Sequence, residues 1–346
     1  MLLHSIASAV PAATYPQADT LRVLRACDGW GGLKERSRQL VERILMGDGG
    51  IAQRSFVCAD AGRLFNAGAG ELNREFERAA PELAGRALDA ALEKAGVAAD
   101  HLDALFICTC TGYLCPGLSS YVAEQRGLRE DALLHDIVGL GCGAALPALR
   151  SAAHFLKMYP RATVAVIAVE VCSLAFYIND DPGVLISLCL FGDGASASLW
   201  RGEDAGAATP WRASGFRSLH LPEHREKIRF ANENGKLKNQ LHRSVPELAA
   251  AAVARLAALD AQEGWFLPET RVIAHTGGRD VVAALRAALP GQALEETSAV
   301  LSSHGNMSSP SVLFALERAL AGQPDCPLWL TAFGAGFTAH SCRLER

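Results

Sequence analysis

Cys142 stands between Gly141 and Gly143 in the stretch GLGCGAALPALRSAA, at the head of a run in which Leu146, Leu149, Ala153 and Leu156 recur at helical spacing. The preceding LLHDIVGL is apolar enough for a strand, so the cysteine falls where a strand ends and a helix begins. Free N–H groups and the positive end of a helix at such a junction favour a thiolate, and the flanking glycines allow a tight turn and close approach by a substrate. Nucleophile is therefore one reading of Cys142, with metal ligand and small buried side chain as the others. His275, in RVIAHTGGRDVV, also ends a strand and precedes the turn at Gly277 and Gly278, a position that suits a general base. The other reading is structural, and it is the one given to His4, His101, His154, His220, His224 and His340. Asn306, in GNMSSPSVLFALERALAG, leads into a helix signalled by Ser309 as N-cap, Pro310 in the first turn and Gly322 beyond the end.

For three such side chains to act together, the elements that carry them must converge. Periodicity predicts helices over 81–95 and 145–158 and strands over 104–108, 133–138 and 163–169 in the first part of the chain. The second part predicts helices over 245–259, 280–289 and 311–321, with strands over 271–274, near 299–301 and over 328–332. The order is α/β, and it recurs. Setting LFICTCTG over RVIAHTGG matches Thr111 and Gly112 with Thr276 and Gly277, which puts Cys110 opposite His275. Further along, Gly141 and Cys142 fall opposite Gly305 and Asn306, each pair followed by an apolar helix. Two repeats are too few for a solenoid, so the natural packing is a fused pair of α/β halves that share one central helical layer. Residues 1–200 form the half with the cysteine and 201–346 the half with the histidine and asparagine. The charged stretch 201–244 is expected to connect them through exposed structure.

Composition bounds the partner. The chain has 346 residues, 50% of them apolar and 20% charged, which is enough to bury a sizeable core. A net charge of −4 without long basic runs removes the footprint of a nucleic-acid or polybasic membrane binder, leaving a small molecule. The apolar start MLLHSIASAVPAA has no basic residue before Arg22 and is read as a first strand, with a cleaved signal as the alternative. No run approaches the roughly 20 apolar residues of a membrane span. The ten cysteines lie largely in apolar stretches of a chain that needs no staples, so a reducing, cytoplasmic setting is expected. Metal binding is not expected: there is no C-x-x-C, and Cys108, Cys110 and Cys115 have no matching second pair of ligands.

The ordered set GCGAAL at Cys142, LFGDGASA at Phe191, HTGGRDVV at His275, GNMSSPSVLF at Asn306 and AFGAGF near the end resembles the type III polyketide synthases, the chalcone synthase-like family. The resemblance covers most of the chain from about Ile51 onward. It implies a thiolase-like fold of two duplicated halves in α-β-α-β-α layers, a homodimer, acyl-CoA and malonyl-CoA as substrates, and no cofactor. It further implies that Cys142 carries the acyl chain, that His275 activates it and stabilises oxyanions, and that Asn306 orients the malonyl thioester. Phe191 matches a gatekeeping phenylalanine, and Ser308 a residue near the catalytic cysteine. Cys110 and Thr111 match the starter pocket, with Gly277 and Gly278 at the substrate-binding turn. Cys115 matches a methionine that reaches the neighbouring subunit in plant relatives. Arg43 and Arg54 match, loosely, basic residues that hold CoA phosphates, with Asp48 near one expected lysine. Two departures stand out: a polar residue near Asn239 replaces a second gatekeeping phenylalanine, and Ala335 replaces a proline between Gly334 and Gly336, which predicts a less rigid loop.

The chemistry also follows from the side chains. An acylated Cys142 is attacked by the enolate left when malonyl-CoA loses carbon dioxide, and that enolate needs N–H donors aimed at its oxygen. Repetition and ring closure would give a resorcinol, a pyrone or a related ring. The rival is a β-ketoacyl-carrier-protein synthase III-like single condensation, against which HTGGRD and GNMSSPSVLF argue. An inert acyl-CoA-binding homologue and a thiol sensor built on Cys108, Cys110 and Cys115 are the other readings.

Overall fold

A computed structural model describes residues 1–205 and 211–346; part of the 201–244 stretch, residues 206–210, lies outside the described residues. Thirteen strands are described. They are β1 (Leu2–Ala9), β2 (Ala13–Pro16), β3 (Gln53–Phe56), β4 (Ala104–Thr109), β5 (Leu133–Val138), β6 (Thr163–Val171) and β7 (Asp193–Arg201), then β8 (Arg212–His220), β9 (Ile228–Glu233), β10 (Lys236–Leu241), β11 (Arg271–Ala274), β12 (Leu328–Gly334) and β13 (Thr338–Glu345). Nine of them form one sheet in the order β11-β12-β13-β8-β1-β7-β6-β4-β5. The sheet has two arms, which meet at the pairing of Leu2 on β1 with Arg212 on β8.

Alternation along each strand explains the layering, because successive side chains point to opposite faces. In one arm Phe106, Cys108, Val164, Val166 and Ala168 face a central core, where the helices Ala145–Met158 and Ser311–Ala321 lie. The other arm presents Leu328, Leu330, Ala332 and Cys342 to the same core. Leu105, Ile107, Ala165 and Ile167 face outward beneath the helix Ala69–Ala95, whereas Val272, Ala274 and Trp329 face the helices Val245–Gln262 and Arg279–Ala288. The result is the layered α-β-α-β-α arrangement, with β4 and β11 in corresponding places, so that Cys110 and His275 follow corresponding strands.

Several elements differ from the sequence expectation. The helix expected to start at Pro81 starts twelve residues earlier: Leu72, Phe76, Ala79 and Ala80 continue its buried stripe, and the proline is held inside the helix. The strand expected near 299–301 is a turn of the helix Glu295–His304, whose Thr297, Val300 and Leu301 are buried on one face. The 201–244 stretch is not simply an exposed connector, since β8 sits within the sheet, paired to β13, and β9 and β10 form a hairpin. No helix among the described residues is long and apolar enough to cross a membrane.

Leu149 and Leu313 are both fully buried in the central layer. Replacing either by alanine is expected to lower the unfolding free energy by about 2–5 kcal/mol, read by denaturant titration, because neither site has a free face through which to collapse.

Candidate active site

Cys142 lies in a short 3-10 turn, Gly141–Gly143, between β5 and the central helix Ala145–Met158. The end of β12 passes directly over this turn. A Cβ at Gly334 would come within 2.9 Å of the Cys142 nitrogen and 2.5 Å of the Leu140 oxygen, so only glycine allows that approach. At the neighbouring Ala335, Thr338 Oγ1 donates to the carbonyl at 2.9 Å, and β12 pairs with β13 up to Gly334. His275 follows β11, its N–H bonded to the Thr331 carbonyl at 2.9 Å and its ring edge-on to Phe333, with centroids 5.3 Å apart.

Asn306 is held from both sides. Its N–H donates to the Leu190 carbonyl at 2.9 Å and its carbonyl accepts from the Gly192 N–H at 3.0 Å, forming an isolated bridge with Phe191. Its side chain is fixed as well: Oδ1 accepts from the Ser308 N–H at 2.8 Å, and Nδ2 donates to the Gly277 carbonyl at 2.9 Å. These bonds settle which end of the amide is which and leave a second Nδ2 hydrogen for another acceptor.

Cys142, Phe191, His275, Gly277, Gly278 and Asn306 all line one cavity of about 460 Å³. Arg43, Arg243 and Arg279 also line it, together with Asp48 and Asp280. Phe191 also borders a second, much smaller space of about 10 Å³, lined by Phe176, Tyr177, Phe230 and Asn239 among others. Asn239 pairs directly with Phe230 on the hairpin, so an aromatic ring stands beside the polar replacement.

The remaining candidates fall behind the thiol or away from it. Ser308, at φ 61°, donates to Cys142 Sγ at 3.2 Å and lies 3.4 Å from Cys110 Sγ. Thr111 Oγ1 donates to Glu170 Oε2 at 2.9 Å. Cys115 is exposed and borders neither space. Arg54, matched to a phosphate-binding position, is fully buried and cannot reach a ligand in the cavity mouth. Ser309 does not cap its helix: Pro310 holds the cap position, no side chain caps the helix, and the Ser309 hydroxyl donates to Glu170 Oε1 at 2.6 Å.

Glu170 is the residue that sequence reasoning missed. It is fully buried on β6 and also accepts from the Cys110 N–H at 2.9 Å. The signal was present, a lone carboxylate in the otherwise apolar run TVAVIAVEV, and such a charge is buried only with partners. Burial raises its pKa, opposed by the Ser309, Cys110 and Thr111 hydrogen bonds.

Burial also dominates the reactive pair. It pushes the Cys142 thiol up to about 12, with the Ser308 hydroxyl opposing, and the His275 imidazole down to about 3, with the Ser308 main chain opposing. The helix-start position therefore does not by itself yield a thiolate. A lone charge is disfavoured on either group, whereas a proton passed from sulfur to imidazole creates both charges together.

The sequence pattern of the FAE1/Type III polyketide synthase-like protein family matches residues 14–209. A 1,3,6,8-tetrahydroxynaphthalene synthase of Streptomyces peucetius subsp. caesius is 33% identical over 301 residues, covering 78% of this chain and 74% of its own. A 3,5-dihydroxyphenylacetyl-CoA synthase of Streptomyces toyocaensis is 31% identical over 268 residues, 72% of this chain and 67% of its own. Among solved structures, the tetrahydroxynaphthalene synthase of Streptomyces coelicolor A3(2) superposes with a TM-score of 0.87 at 25% identity, covering 99% of this chain and 98% of its own. The chain belongs to the type III polyketide synthase family, and its fold is the thiolase-like fold of those structures. It is accordingly an acyltransferase.

If His275 takes the Cys142 proton, replacing it by alanine leaves the thiol with its burial and the Ser308 hydroxyl bond only. Alkylation of Cys142, mapped by mass spectrometry, is then expected to become slow at neutral pH and to rise only as pH climbs toward the raised thiol value. Identical pH profiles for the two proteins would show that the groups titrate independently.

Proposed function

We propose that this enzyme loads an acyl-CoA starter on Cys142, extends it with malonyl-CoA by decarboxylative condensation, and closes the chain to a resorcinol, pyrone or related ring. The observation that carries this reading is the convergence of Cys142, His275 and the doubly anchored Asn306 amide on one cavity. His275 takes the thiol proton as sulfur attacks the starter thioester, and coenzyme A leaves as the thiol. Malonyl-CoA then loses carbon dioxide. The enolate oxygen is met by the free Asn306 Nδ2 hydrogen and by a His275 N–H, and its carbon attacks the acyl-cysteine, releasing the Cys142 sulfur. Arg43, Arg243 and Arg279 supply positive charge for the coenzyme A phosphates. The thioesters and the malonyl carboxylate provide every leaving group, so the scheme is written without a cofactor.

The space beyond Phe191 has room for about one water, which favours a short starter and few extensions. Replacing Phe230 by alanine is expected to enlarge it and shift the product distribution to higher mass; an unchanged distribution would remove that wall from the account. Residues 1–200 and 201–346 are read as the two halves of the duplication. The free edge of the sheet, β5, exposes Leu133, Leu134 and Val138, which supports a homodimer formed through this edge. Leu134→Lys should then give a monomer in sedimentation, and a persistent dimer would place the interface elsewhere.

The functional test is incubation with malonyl-CoA and a panel of acyl-CoA starters, with products identified by mass. Decarboxylation needs a stabilised enolate but no acyl-sulfur bond. Cys142→Ala should therefore still release carbon dioxide while forming no extended product, and Asn306→Ala should lose on the order of 10²–10³ in that release. Decarboxylation at the parent rate in Asn306→Ala would overturn its assignment.

A further inference from the structure

We infer that Arg54 is a positioning residue for the decarboxylating half of the reaction, holding the gate segment 188–192 in the register that seats Asn306. This inference rests on the function proposed above. Arg54 lies on β3 with no exposed surface, yet among the described residues its guanidinium has no carboxylate at hydrogen-bonding distance. Nη1 donates to the carbonyls of Leu188 and Phe191, both at 2.7 Å, and Nε donates to Gln17 Oε1 at 3.0 Å. Gln17 in turn donates from Nε2 to the Cys189 carbonyl at 3.2 Å. The two side chains thus take up three carbonyls where the helix Pro182–Leu190 ends, at the negative end of its dipole.

The next step along the chain is the bridge to Asn306. Leu190 supplies the carbonyl that accepts the Asn306 N–H, and Gly192 supplies the N–H that meets its carbonyl. Both sides of that bridge rest on the arginine stem. A Cβ at Gly305 would come within 2.9 Å of Arg54 Cγ and Cδ, and one at Gly192 within 3.4 Å of its Cβ. A further tie comes from Ala52, next to β3, whose N–H bonds the Ser302 carbonyl on the helix that leads into Asn306. A buried cation held by carbonyls and the face of Phe56, 5.1 Å away, with Nη2 left without a hydrogen-bond partner among the described residues, is an expensive way to fill space, and an apolar side chain would do that better. What the guanidinium adds is direction, since the two in-plane hydrogens of Nη1 meet the Leu188 and Phe191 carbonyls at a set angle.

The decisive contrast is between carbon dioxide release, which uses Asn306, and acyl loading of Cys142, which does not. In Arg54→Met the kcat for release from malonyl-CoA is expected to fall about 10- to 100-fold, as misplacement of a group at the reacting centre does, with loading of a starter on Cys142 unchanged and Arg54→Lys recovering part of the loss. Parallel loss of both steps would make Arg54 merely structural, and loss of neither would make it dispensable; either overturns the inference. Where Arg54→Met does not fold, Gln17→Leu loosens the same clamp without removing the charge and should show the same contrast more weakly. Amide hydrogen exchange gives a readout free of turnover. The Asn306 and Gly192 N–H groups should exchange faster in the variant while β12 stays protected, and unchanged exchange there would overturn the clamp. Should the unmodified enzyme release no carbon dioxide at all, the proposed function falls and the exchange result alone decides on Arg54.

Discussion

The site depends on the burial of two central helices between two arms of one sheet. Ala145, Ala148, Leu149 and Ala152 on one helix, with Ala144 at its cap, and Val312, Leu313, Ala315 and Leu316 on the other are fully buried. Side chains packed on two faces leave neither helix free to slide, because each shift would open voids against both arms. The segments that enter these helices are therefore fixed relative to each other, which is why Cys142 and Ser308, 166 residues apart, meet at 3.2 Å. Alanine at the cap and at three positions on the first helix keeps the layer thin. The candidate catalytic residues Cys142 and Asn306 precede the helices rather than lie on them.

Much of this was legible from pattern alone. The alternation of strands and helices, its recurrence, and the matches of Cys110 with His275 and Cys142 with Asn306 follow from local periodicity, which long-range packing respects. The helix at Glu295–His304 was read as a strand because three apolar residues in a row suit either period, and the second arm has no partner strand there to decide it. Pro81 was read as a helix start because proline ordinarily sits in a first turn, whereas here the buried stripe on both sides of it carries the helix through. The place of β8 in the sheet was hidden by the charge of the surrounding stretch, since pairing between distant strands leaves little local trace.

The site was less legible than the fold. Three residues stood out because their types suggested chemistry, but the groups that aim them did not. The Gly277 carbonyl that anchors the Asn306 amide is a main-chain atom, invisible as a residue type. Ser309 looked like a helix cap, but Pro310 takes the cap position and the Ser309 hydroxyl donates to Glu170, a buried carboxylate that needs such partners. Arg54 resembled a ligand-binding basic residue by position along the chain, and only burial shows that it points into the protein.

The low polarity of the site bears on the enolate chemistry proposed for it. Where solvent is excluded, an isolated charge is costly, and the structure shows that cost in the raised Cys142 thiol and the lowered His275 imidazole. The same low polarity strengthens any donor already in place when negative charge develops, because no water must reorganise to meet it. Rigid placement is then worth more than intrinsic acidity. The Asn306 amide is neutral, cannot titrate, and has its other hydrogen and its oxygen tied to Gly277 and Ser308, so its remaining N–H is presented without a conformational search. A charged donor at that place would stabilise the enolate more strongly but would hold the malonyl carboxylate as well, and carbon dioxide leaves only when that carboxylate is not itself stabilised.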